Sequence, residues 1–200
     1  MASGDERARL AGLCGILSPV VAFSAIALAI ALSPWFSWRK NALSDLGALK
    51  SPVWPIFNGG LIIASILALF FAYELLAHLE GRLGRAGAAL LLVGSLSLAL
   101  IGVFPEDIRP VHFIVSAAFF ILAPLGLVVI GASRLLGPEK GLRPLGALTL
   151  VLGVASGLTW AFWALLRPAL GIAVPETIAA ALVSAALIVL GLRVARSEPV

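Results

Sequence analysis

Three acids and a histidine, Asp45, Glu106, Glu176 and His112, are the side chains of this 200-residue sequence best suited to chemistry. Carboxylate and imidazole can ligate a divalent metal, or exchange protons near neutral pH. Their sequence neighbours are polar as well. "NALSDLGALKSP", residues 41–52, carries Asn41, Ser44, Asp45 and Lys50 between two long apolar stretches, and "FPEDIRPVH" gathers Glu106, Asp107, Arg109 and His112 around two prolines. Pro105 and Pro110 stiffen that link, so its charged groups stay near the ends of the elements it joins. Each group also has a plain structural role open to it. Ser44 or Asp45 can cap a short interfacial helix, Glu176 after Pro175 suits the first turn of a helix, and His112 can be a helix-start residue satisfied by a local carboxylate.

The elements that must position these groups follow from composition. The chain is 61% hydrophobic and 12% charged, with a mean hydropathy of +1.10; a soluble domain has about a quarter of its residues charged. Apolar runs of roughly 20 residues, enough to cross about 30 Å of hydrocarbon, alternate with short polar links. The expected fold is all-α: a polytopic membrane protein, a six-transmembrane-helix bundle forming one domain over residues 1–200. The spans are expected at Leu10–Ser33, Ile56–Leu79, Ala86–Phe104, His112–Ser133, Leu145–Leu166 and Pro175–Leu192. "MASGDERAR" mixes acids with bases ahead of the first span, which reads as a retained helix and not as a cleaved signal. The single cysteine, Cys14, excludes an intrachain disulfide and reads as a packing residue.

The net charge of +4 does not point to nucleic acid, because the bases sit at span ends and form no dense patch. Arg7, Arg9, Arg82, Arg85, Arg134, Lys140, Arg143, Arg193 and Arg196 flank one side; Arg39, Lys40, Lys50, Arg109 and Arg167 flank the other. Nine against five places both termini in the cytoplasm of a plasma-membrane protein.

On that orientation the special residues collect at the outer face. Trp35, Trp38, Trp54, Trp160 and Trp163 lie there, where an aromatic belt is the simple reading. Ser156, Trp160, Trp163 and Arg167 recur at helical spacing on one face of the fifth span, His112 and Ser116 share a face of the fourth, and Asn58 and Ser65 of the second. These faces are expected to point into the bundle. At the inner end, Glu74, His78 and Arg82 recur as one stripe able to pair or to reach water. "GVASG" (Gly153 to Gly157) reads as helix packing. The sequence contains no Gly-rich phosphate loop, HExxH pair, GxSxG elbow or convincing internal repeat.

"NALSDLG", "PIFNGGLI", "GVFPED" and "VHFIVSAAFF" together resemble the prokaryotic domain of unknown function 998 family, over nearly all six spans. That family in turn looks distantly similar to the DRAM and Sfk families of six-helix membrane proteins. The resemblance implies a six-helix bundle with recurrent polar motifs on the non-cytoplasmic side, matched here by Asn41, Ser44, Asp45, Asn58, Pro105, Glu106 and His112, and implies no activity. Family members often carry a glutamate-arginine pair in the last span, where this chain has Glu176 followed by Thr177.

The function expected from these residues is an outer polar pocket that binds a lipid headgroup or small amphiphile. It would be built from Asn41, Ser44, Asp45, Asn58, Glu106, Asp107, Arg109, His112, Trp160, Trp163, Arg167 and Glu176. A membrane-embedded lipid hydrolase or transferase, with Asp45, Glu106 and His112 as candidate metal ligands, is the alternative. A channel or transporter using Glu74 and His78, or an accessory subunit of a membrane complex, are further readings. Whether the chain is an enzyme, and with which cofactor, stays open. Membrane lipids are the expected partners, with a membrane-protein partner or a second copy of the chain also open.

Overall fold

A computed structural model describes residues 2–166 and 170–200. Six helices carry the chain: α1 (Ala2–Ala31), α2 (Trp54–His78), α3 (Gly81–Val103), α4 (Arg109–Leu136), α5 (Arg143–Leu166) and α6 (Ala173–Ala195). Among the described residues there is no strand. All six are long and apolar enough to cross a membrane. In hydrocarbon every backbone amide must be satisfied within the segment, which a helix alone achieves for a single span. The chain is an integral membrane protein.

Helix starts fall where the sequence supplies residues that suit a first turn. Proline occupies the first turn of α2 and of α4, where its missing N–H costs nothing, and Glu176 lies in the first turn of α6. Several boundaries lie outside the expected ones. α3 begins at Gly81, ahead of Ala86, and so takes in Arg82 and Arg85; α4 begins at Arg109, ahead of His112. The inner stripe is thereby broken, because α2 ends at His78 and Arg82 belongs to the next helix. Glu74, almost buried, instead meets Arg7 of α1 at 2.5 Å, an ion pair by distance although not aligned as a hydrogen bond. His78 Nδ1 donates to the Glu74 carbonyl at 2.8 Å.

Each helix packs on its sequence neighbours, and α6 closes the ring against α1. The first and last helices lie so close at Gly12 and Gly191 that a Cβ on Gly12 would stand 2.5 Å from the Gly191 carbonyl. Both termini therefore share one end of the bundle. The opposite end is covered by residues 32–53, which contain a 3-10 turn at Leu43–Gly47. The outward faces carry large apolar side chains such as Ile66, Phe162 and Leu165, as a lipid-bathed surface requires.

Contact between α4 and α5 is uneven, and that unevenness shapes the site. Near the terminal end a Cβ on Gly131 would stand 2.6 Å from the Gly146 carbonyl, so the backbones touch. Midway, a Cβ on Gly153 would still meet the Pro124 carbonyl at 2.7 Å. One turn further, at Gly157, nothing lies within 4 Å. "GVASG" thus packs through its first glycine only, and beyond it the two helices part.

Candidate functional site

The polar stretch 41–52 is a folded cap, and its own residues hold it. Asn41 Oδ1 accepts from the Ser37 amide at 2.9 Å, while Asn41 Nδ2 donates to Asp45 Oδ2 at 2.7 Å. The same carboxylate oxygen accepts from the Ala42 amide at 3.0 Å, closing the start of the 3-10 turn. Three separate elements then strap the cap down. Asn58 of α2, 3% exposed, donates to the Gly47 carbonyl at 2.9 Å. Asp107 accepts from the Leu49 amide at 2.7 Å, and Glu176 of α6 accepts from the Leu43 amide at 2.6 Å. Backbone bonds from Gly171 to Trp38 and from Ala173 to Asn41, at 2.8 and 3.0 Å, complete the seam with the start of α6.

Under this cap two cavities meet. A groove of about 1090 Å³ opens sideways where α4 and α5 part. Its apolar walls include Phe113, Phe120, Ile121, Leu125, Val128, Val154 and Leu158, and its capped end is formed by Ser44, Glu106, Arg109, His112 and Glu176. A second space of about 90 Å³ runs down the middle of the ring past Ser18, Ser95 and Ser184. Ser44, His112, Ser116, Phe120 and Glu176 line both, so the two are continuous at the capped end. The central space ends near Ala68 and Leu187; beyond it Phe71, Leu75 and Leu190 are fully buried and fill the interior.

The chemistry at the junction is a cluster of acceptors. His112 Nδ1 donates to the Phe104 carbonyl at 2.8 Å, which in the neutral ring leaves Nε2 as an acceptor. The residue is 8% exposed, and among the described residues Nε2 has no hydrogen-bond partner. Glu106 adjoins Asp45, Ser44 and His112. Burial, and next the Asp45 carboxylate beside it, push the Glu106 carboxyl above its ordinary 4.5; the Ser44 hydroxyl and His112 pull weakly the other way. Glu176 has Glu106 and Asp45 as its charged neighbours. Among the described residues the buried atoms Glu106 Oε2 and Trp160 Nε1 have no hydrogen-bond partner, and both residues line the groove. Trp160 stacks edge-on against Phe120 at 4.9 Å and against Trp163 at 6.4 Å.

The expected site residues divide. Ser44, Glu106, Arg109, His112, Trp160, Trp163 and Glu176 line the groove. Asn41, Asp45, Asn58 and Asp107 are turned to holding the cap, Asp45 at the same time flanking Glu106. Arg167 lies outside the described residues. Ser156 leaves the stripe it was expected to share with the two tryptophans: fully buried, it donates to the Ala179 carbonyl of α6 at 3.0 Å. Trp35, Trp38 and Trp54 are all about two-fifths exposed, as belt residues are. Asp45, Glu106 and His112 lie together, yet among the described residues no three or more His, Cys, Asp and Glu are grouped so as to hold a metal ion. Sequence reasoning missed the groove walls, Phe113, Phe120 and Gly157, although Phe120 stands eight residues after His112, on the face that already held Ser116.

Residues 16–193 match the family model described as Protein of unknown function (DUF998), and the chain belongs to that family. No curated protein and no solved structure matches it.

Proposed function

We propose that this member of the family binds an amphiphile taken sideways from the bilayer, polar head beneath the cap and apolar chain along the α4–α5 groove. One observation carries the reading: a laterally open groove of about 1090 Å³ with apolar walls and a single polar end. A soluble ligand would gain nothing from the open side, whereas a bilayer lipid reaches the head site without leaving hydrocarbon. The surplus of Lys and Arg at the terminal end argues that the termini face the cytoplasm and the cap the outer leaflet of a plasma membrane. The dead end above Phe71 and Leu75 speaks against a conducting path along the ring. In mild detergent the purified protein is expected to carry a lipid-sized amphiphile in native mass spectra, at lower occupancy in Gly157→Trp. Wild-type protein that carries none, and that no added lipid stabilises, would overturn the reading.

Catalysis on that amphiphile is a second reading, favoured by one pairing. Glu106, whose carboxyl burial and the neighbouring Asp45 hold above its ordinary value, stands beside His112, and carboxyl and imidazole are the groups most used as acid and base. An acid and a base under one cap suit hydrolysis or head-group transfer. Incubation with ester and phosphodiester lipids tests it: product formed by wild type and lost in His112→Gln supports catalysis, and no turnover leaves binding alone.

A further inference from the structure

We infer, on the amphiphile-binding reading above, that the preferred head group is a primary ammonium joined to a phosphodiester, a zwitterion with its positive end beneath the cap. Sorting the groove's polar groups into acceptors and donors leads there. At the capped end stand acceptors: Glu106 Oε2, buried without a partner among the described residues, His112 Nε2, and the second oxygen of Glu176, whose Oε2 already accepts from the Leu43 amide. Three acceptors match the three N–H donors of an alkylammonium, the donor count of a lysine side chain. A phosphate or carboxylate pushed to that depth would instead face Glu106, Glu176 and the adjoining Asp45.

Donors line the same groove, Arg109 at its capped end among them. Arg109 stands exposed in the first turn of α4, at the rim. Trp160, whose Nε1 is also without a partner among the described residues, lies about 9 Å of helix before the end of α5, on the groove wall. A purely cationic amphiphile leaves Arg109 and the Trp160 N–H unanswered; an anionic lipid leaves Glu106 unanswered. A zwitterion with the ammonium outermost satisfies both sets, its phosphate at Arg109 and an ester oxygen at Trp160. A quaternary choline has no N–H to give and so satisfies the acids less well.

The test titrates purified protein with phosphatidylethanolamine, phosphatidylcholine, phosphatidylglycerol and diacylglycerol of identical chains, reading occupancy by native mass spectrometry and thermal shift. Phosphatidylethanolamine is expected to bind at least tenfold more tightly than the other three. Glu106→Gln is expected to reduce that preference severalfold and leave diacylglycerol binding unchanged. Glu176→Gln, which keeps an acceptor for the Leu43 amide, should do the same and serves as the second variant if the first folds poorly. Equal or tighter binding of phosphatidylcholine or phosphatidylglycerol overturns the head-group assignment and leaves the groove reading standing. Failure of all four lipids to bind overturns both.

Discussion

Gly153 and Gly157 stand one turn apart on α5 and offer opposite outcomes for the same substitution. At Gly153 a Cβ would stand 2.7 Å from the Pro124 carbonyl and 3.0 Å from the Val128 amide, backbone atoms that cannot rotate away. Overpacking of this kind costs about 1–3 kcal/mol, and replacing a helical glycine by alanine returns up to about 1 kcal/mol. Gly153→Ala should therefore lose up to about 2 kcal/mol. At Gly157 no atom lies within 4 Å, so Gly157→Ala keeps the propensity gain, about 0.5–1 kcal/mol. For a chain of this size about 1 kcal/mol moves Tm by roughly 2–4 °C. Thermal unfolding in one detergent should place the two variants several degrees apart, on opposite sides of wild type. Gly157→Trp then directs an indole into the upper groove from a Cβ that meets nothing within 4 Å. A chain already in hydrocarbon gains little by transfer, so its affinity rests on packing. Losing on the order of ten close contacts at about 0.1–0.2 kcal/mol each is about 1–2 kcal/mol, close to tenfold in occupancy. Lipid counted by mass spectrometry should fall accordingly while Tm holds. Full lipid occupancy in a well-folded Gly157→Trp would refute the groove as the site, and equal Tm for the two alanine variants would refute the parting of α4 from α5.

Other perturbations test the cap, the acid and the opposite end. Asn58→Ala removes a buried bond to the Gly47 carbonyl and should cost about 1–3 kcal/mol, read as a fall in Tm; a Tm within a degree of wild type would count against the strap. Glu106 has a raised folded-state pKa, so ionising it costs more in the folded protein than in the unfolded one. Its penalty is absent below about pH 4.5 and grows as pH rises through the raised value. Glu106→Gln should thus match wild type at low pH and exceed it in stability near neutral pH, and parallel Tm–pH curves would contradict this. Arg7→Ala strands the nearly buried Glu74, but Arg7 is 57% exposed at its side chain, which limits the loss to about 1–2 kcal/mol. Adding Glu74→Gln should recover at least half of it, and additive losses would show the pair to be uncoupled.

The six spans were legible because hydrocarbon imposes a length that apolar runs reveal directly. Their ends were less so, since Arg82, Arg85 and Arg109 lie inside helices that the pattern closed short of them. Arginine at a helix end reaches water along its own stem and does not mark the boundary. Of the site, the polar end could be read from Glu106, His112 and Glu176, residues that hydrocarbon rejects when unpaired. The walls could not: Phe113 and Phe120 look in sequence like any lipid-facing residue, because both faces of a membrane helix are apolar. Serine spacing misled for a related reason. Ser95 and Ser97 satisfy themselves on carbonyls four residues earlier, and Ser156 on a neighbouring helix, so a hydroxyl at helical spacing carries no fixed direction. Asn41, Asp45, Asn58 and Asp107 share the polarity of the site while serving the cap, a division set by partners far away in the chain.

The bond from the Leu43 amide to Glu176 joins residues 133 positions apart, and Gly12 meets Gly191 across a still longer stretch. A ribosome has made five helices before the partner for either contact exists. Asn58 and Asp107 can hold the lid before then, but only the arrival of the sixth helix can shut the circle and add the bond from Glu176. Biogenesis thus completes the chamber last, and a copy cut short before Glu176 should insert yet hold its lid less firmly, read as faster proteolysis within residues 41–52.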